Sequence, residues 1–166
     1  MEGIHLKKFK NLDLNLYHKK LSNGLNIYVV PKKTSNNIFA TFTTNYGSVH
    51  TKFKLDDKTI DSPLGVAHFL EHKMFESKNG VDPFKLFDEN GASSNAATSN
   101  YKTTYLFAGP SNFKKNLNTL LDFVQEPYFT DENVEKEKGI IAQEINMYLD
   151  DPGTRVYMRS EEHTSE

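Results

Sequence analysis

The segment from Leu64 to Phe75 is apolar on nearly every side, and Ser62-Pro63 stands before it as a predicted N-cap and first helical residue. A helix without a polar face is stable only when neighbours cover it all round. The segment is therefore read as a buried helix. Yet His68, Glu71 and His72 interrupt it, in the pattern H-x-x-E-H. Three ionisable side chains on a covered helix are costly unless a partner compensates them.

A metal ion is such a partner. Residues four apart share one helix face and the third lies beside them, so two imidazoles can reach one zinc ion with a carboxylate next to it. A catalytic zinc site uses neutral imidazole nitrogens and keeps one position open for water. Glu71 is then placed to take the proton of that water, whose pKa zinc lowers to about 7.

Zinc needs a third protein ligand. Glu76 continues the face but lies about 12 Å along the axis from His68, too far to converge. The longest predicted helix, from Thr130 to near Asp150, offers Glu137 and Glu144. These share an apolar stripe with Ile141 and Tyr148, whereas Glu135 and Asn146 face away. Two turns separate the pair by about 10.5 Å, so one ligates and the other orients ligands or water. Spacing leaves open which does which. His5 and His18 in polar terminal sequence, His50 at a strand end and His163 near the end of the chain read as non-functional. No G-x-S-x-G elbow or P-loop occurs. With no cysteine, disulfides, thiolate zinc sites, iron–sulfur clusters and a cysteine nucleophile are excluded.

The remaining punctuation describes an α+β domain, a mixed or antiparallel sheet packed against helices. Leu12, Leu14 and Leu16 alternate with polar residues, Asn23-Gly24 offers a tight turn, and Leu25, Ile27 and Val29 alternate again before Pro31. A third strand is expected from Ile38 to about Tyr46, and Lys52 to Asp61 reads as a polar connection. Asp82-Pro83 starts a short helix ending at Asn90-Gly91. Strands over 93–98 and 102–108 are joined by a Ser-Asn turn. Ser111 caps a helix with the stripe Phe113, Leu117, Leu120, Leu121 and Val124, stopped by Pro127; Asp151-Pro152 starts a last helix.

At 166 residues, 37% hydrophobic and 25% charged, the chain suits one soluble domain. A net charge of -2 disfavours an electrostatic nucleic-acid partner, and no apolar run approaches the roughly 18 residues of a membrane span. The N-terminus lacks the features of a signal or transit peptide, so a cytoplasmic protein is expected. Lysine supplies 18 of the 20 basic residues and asparagine occurs 16 times, a style that residues 159–166 break. Those eight read as a non-native, sequencing-adapter-derived tail, with residues 1–158 as the domain proper, truncated at its C-terminal side.

With these residues in view, the chain resembles the pitrilysin/insulinase family of zinc metallopeptidases, the inverzincins, and among them the bacterial processing-protease-like members. The resemblance runs from about Ser22 to Tyr157 and rests on the stretches 65–75, 90–96 and 135–145. It implies the fold of a mitochondrial-processing-peptidase-like domain. It implies His68, His72 and Glu144 as ligands of one Zn2+ per domain, Glu71 as general base and Glu137 as a supporting carboxylate. It also implies that the strand carrying Asn95 and Ala96 is the edge on which a peptide substrate adds as a further strand. Family members pair such a domain with a homologous second half, which contributes to substrate binding, so a missing C-terminal half or partner subunit is expected and the piece alone is expected to be inactive. The implied activity is endopeptidase hydrolysis of short or unfolded peptides. The alternatives are a non-catalytic peptide-binding or partner subunit, and a small-molecule hydrolase on the same zinc motif.

Overall fold

The computed structural model describes residues 3–164, with side chains at all of them except 158 and 160–164. Two units follow one another along the chain, the first ending at Asn37 and the second beginning at Ile38. All strand pairings in both are antiparallel.

The first unit is a three-stranded sheet in the order β1 (His5–Phe9), β2 (Leu14–Lys20), β3 (Asn26–Val29). Gly24 makes the β2–β3 turn at φ 92°, a conformation that glycine adopts without strain. The Asn23 side chain accepts the Leu25 N–H there at 3.1 Å. Strand β1 was not expected, because His5–Phe9 does not alternate; β2 supplies its register, pairing His5 with His18 and Leu6 with Tyr17. Leu12 is no strand residue: it closes a 3-10 turn over Lys10–Leu12 and is exposed.

In the second unit, β4 (Ile38–Thr44), β7 (Ser93–Thr98) and β8 (Thr103–Gly109) form a sheet in the order β4-β8-β7. Thr103, Tyr105, Phe107 and Gly109 of β8 are buried in strict alternation, the two-residue period of a strand with one covered face. Among the described residues five helices belong to this unit: α1 (Val66–Lys73), α2 (Pro83–Glu89), α3 (Phe113–Phe123), α4 (Asp131–Asp150) and α5 (Pro152–Thr164). Phe87 of α2, Tyr105 and Phe107 of β8 and Leu120 of α3 form the core with Ala92, and Phe75 stacks on Phe123 at its edge.

Local chemistry explains most boundaries. The Asp82 side chain accepts the Phe84 N–H at 2.9 Å to cap α2, and Thr130 and Asn133 exchange hydrogen bonds in a capping box that opens α4. Asp151 ends α4 and opens α5: it accepts the Thr154 N–H at 2.6 Å, and that bond holds its carboxyl below the usual pKa. Helix α5 runs on across residue 159.

Three expectations need correction. Helix α1 starts at Val66, not Pro63, with Gly65 before it at φ 88°. Ser62 does not cap it, because its N–H and hydroxyl both donate to the Thr51 carbonyl. Helix α3 is preceded by Asn112 at φ 52° with no side-chain cap, while Ser111 receives on its carbonyl a bond from Asn116 Nδ2. The stretch from Lys52 to Asp61 is a hairpin, β5 (Lys52–Leu55) and β6 (Lys58–Asp61), turned at Asp56 with φ 53°. Its cross-strand pairs Phe53–Ile60 and Lys52–Asp61 are an apolar contact and an ion pair of 3.3 Å. Among the described residues no helix is long and apolar enough to cross a membrane.

Candidate metal centre

Helix α1 packs against α4 and against β7, and these three elements deliver the titratable groups read from the sequence. The His68 and His72 rings meet edge-on with centroids 4.6 Å apart, as residues one turn apart must. Glu144 reaches them from α4. Its Oε2 stands 3.6 Å from His68 Nε2 and 3.4 Å from His72 Nε2. One ligand atom from each of the three lies within 4.8 Å of the others, the one such group among the described residues.

Glu137 sits two turns earlier on α4 and is 6% exposed. Its Oε1 is 2.8 Å from Nδ1 of His72. A carboxylate oxygen accepts here from Nδ1–H, and Nε2 is the His72 nitrogen that faces Glu144. Two donors about 2.1 Å from a tetrahedral zinc ion stand about 3.4 Å apart, which matches the Glu144 distances. The donor set, two imidazole nitrogens and one carboxylate oxygen, is that of a three-ligand site with an open fourth position. The residues present therefore fit a zinc-sized divalent ion.

Glu71 points to the β7 side of α1. It is 8% exposed, and its Oε2 accepts the Thr98 hydroxyl at 2.7 Å. Tyr105 of β8 is close by: burial, and then the Glu71 charge, push its phenol pKa well above the ordinary value. Glu76 is directed elsewhere, pairing with Lys73 Nζ at 2.6 Å, as its place along the helix requires. Asn95 and Ala96 lie on β7, which has β8 on one side and no strand on the other among the described residues. Asn95 is exposed and its side chain accepts the N–H of Ala96 at 2.8 Å.

The other histidines have local partners. His18 stacks on Tyr28 and lies 2.9 Å from Asn26 Oδ1, His5 stacks on His18, and His50 Nδ1 accepts the Gly47 N–H. The His163 side chain lies outside those described. Two groups at the centre escaped the sequence reading. Thr98 gave no signal there, because its tie to Glu71 joins a strand to a helix 27 residues away. Tyr148 showed only as part of the α4 stripe; its hydroxyl bonds Glu144, and that bond is the first cause of its raised pKa.

Residues 59–164 match the model of the insulinase family, peptidase family M16. This chain belongs to peptidase family M16. The M16 chain is 54% identical over 152 residues to the uncharacterized zinc protease YmfH of Bacillus subtilis, covering 90% of itself and 35% of that protein. It is 31% identical over 147 residues to an uncharacterized zinc protease of Rickettsia felis, covering 86% of itself and 34% of the relative. A crystal structure of an M16-like peptidase from Alicyclobacillus acidocaldarius superposes with a TM-score of 0.83 at 46% identity, over 88% of this chain and 34% of that one. Pitrilysin, at 20% identity and a TM-score of 0.66, shares the fold. The M16 chain thus spans about a third of the length of the first two relatives.

Proposed function

We propose that the protein to which this chain belongs is a zinc metalloendopeptidase. The observation that carries the reading is the convergence of His68, His72 and Glu144 from α1 and α4 beside the buried carboxylate of Glu71. The names of the relatives, zinc proteases of two bacteria, support the metal and the reaction class.

In this reading His68 Nε2, His72 Nε2 and Glu144 Oε2 hold one zinc ion. Zinc bound there supplies Lewis-acid chemistry, acidifying water and polarising a carbonyl. Glu71 acts as general base: it takes a proton from the attacking water and returns it to the departing amine nitrogen as the C–N bond breaks. Glu137 acts through His72, holding its ring in the tautomer that presents Nε2. The free edge of β7, with Asn95 and Ala96, aligns an extended peptide by main-chain pairing, which tolerates many sequences. A cytoplasmic site of action goes with this reading.

The substrate-closing second half is assigned to the rest of a longer polypeptide or to a partner subunit, and the present piece is expected to be inactive alone. The test is to assay the full-length protein and its Glu71→Gln variant, with zinc analysis, on a quenched-fluorescent peptide mixture. Cleavage by the parent, lost in the variant while zinc is retained, is the expected result. Equal cleavage by both would remove Glu71 from the mechanism. Zinc bound with no cleavage by either would favour a non-catalytic peptide-binding subunit instead.

A further inference from the structure

We infer that Thr98 is the positioning residue for Glu71, its hydroxyl fixing which carboxylate oxygen is left to receive a proton from water. The inference rests on the proposed role of Glu71 as general base. Thr98 closes β7 with its side chain on the sheet face turned toward α1, and its Oγ1 donates to Glu71 Oε2 at 2.7 Å. Among the described residues this is the one hydrogen bond made to the Glu71 carboxylate. The other oxygen, Oε1, receives no hydrogen bond from the described residues. One oxygen is tied to the protein, and the other is left without a protein donor.

The tie is firm because the strand end that carries Thr98 is itself held. Thr98 pairs with Thr103 across the β7–β8 ladder, and the two hydroxyl oxygens lie 3.3 Å apart. Thr103 spends its own proton on the carbonyl of Tyr46 at 2.9 Å, and the single proton of Thr98 goes to the nearer and stronger acceptor, the Glu71 carboxylate at 2.7 Å. The turn after Thr98 is pinned from a second segment: Ser48 N–H donates to Ser99 O and Val49 N–H to Asn100 O, each at 3.1 Å. Gly47 lies so close to this turn that a Cβ there would stand 2.3 Å from the Ser99 carbonyl oxygen. A β-branched side chain adds stiffness at χ1. A carboxylate on a three-bond stem would otherwise sample several rotamers, and misplacement of a catalytic base is costly in rate.

The experiment compares Thr98→Val, Thr98→Ser and Glu71→Gln in the zinc-loaded full-length protein, measuring kcat and KM on a fluorogenic peptide, zinc affinity by chelator competition, and melting temperature. Thr98→Val keeps the shape and loses the hydroxyl. It is expected to lower kcat about 10- to 100-fold with KM and zinc affinity unchanged, and a crystal structure of the metal-free variant should show Glu71 released from its position. Thr98→Ser should recover most of the rate. Full kcat in Thr98→Val, with Glu71→Gln inactive, would overturn the positioning role and leave the mechanism standing. Equal losses in the Val and Ser variants, or loss of zinc in step with rate, would overturn it in favour of packing. Activity retained by Glu71→Gln would instead bring down the underlying role of Glu71.

Discussion

Glu137 and Glu144 are chemically the same and occupy the same stripe of one helix, yet the structure gives them different partners. Glu144 meets two imidazole nitrogens through one oxygen, while Glu137 meets only the far nitrogen of His72. Glu144→Gln should therefore abolish tight zinc binding, and Glu137→Gln should weaken it by about 10- to 100-fold, the usual cost of losing a group that orients a ligand. Chelator-competition titration of both variants checks the order; a larger loss in Glu137→Gln would reverse the assignment. The pair His68 and His72 was legible in the sequence because helical spacing alone brings residues four apart together. The division of labour between the glutamates was not, since a helix of either phase places both on the same side. Thr98 was less legible still, because its partner is set by packing of β7 on α1 and by no local pattern.

Caps carry much of what could be read at the level of elements. Asp82 and Thr130 were legible as helix starts because their side chains hydrogen-bond within three residues, and such local chemistry is visible in sequence. Gly65 and Asn112 start α1 and α3 through backbone conformation instead, at φ 88° and 52°, and offer no capping side chain to recognise. The β5–β6 hairpin was hidden by its lysines and aspartates, which are solvated or paired on its outer surface. Glycines in the second unit divide by the space around them. Gly139 lies in the middle of α4 with nothing within 4 Å of a Cβ placed there, so Gly139→Ala should stabilise by about 0.5–1 kcal/mol through helix propensity. Gly47→Ala, which would drive a methyl into the backbone of residues 99–102, should destabilise by about 1–3 kcal/mol. Urea denaturation of the two variants beside the parent reads both signs.

For the molecule as a whole, the proposed ligands make metal binding and folding one equilibrium. Two ligands come from α1 and the third from α4, so an ion held by all three favours the packed state over the unfolded one. Zinc at a hundredfold excess over its dissociation constant should add about 2.7 kcal/mol to the unfolding free energy. Thermal melts with zinc and with a chelator check this, with Glu144→Gln as the control that should not respond; identical melts in the unsubstituted chain would argue against a metal shared by the two helices. The antiparallel sheet and its helices were legible in the alternation and punctuation of the chain, and the need of two histidines for a third ligand pointed to the stripe of α4 that meets α1, although the two helices lie far apart in sequence. That same distance sets an order of events during synthesis. A growing polypeptide that has emerged as far as α1 presents two imidazoles and no carboxylate from α4, and stays a weak competitor for zinc until Glu144 follows it off the ribosome. A centre assembled in this order cannot hold an ion with all three ligands until α4 has packed against α1.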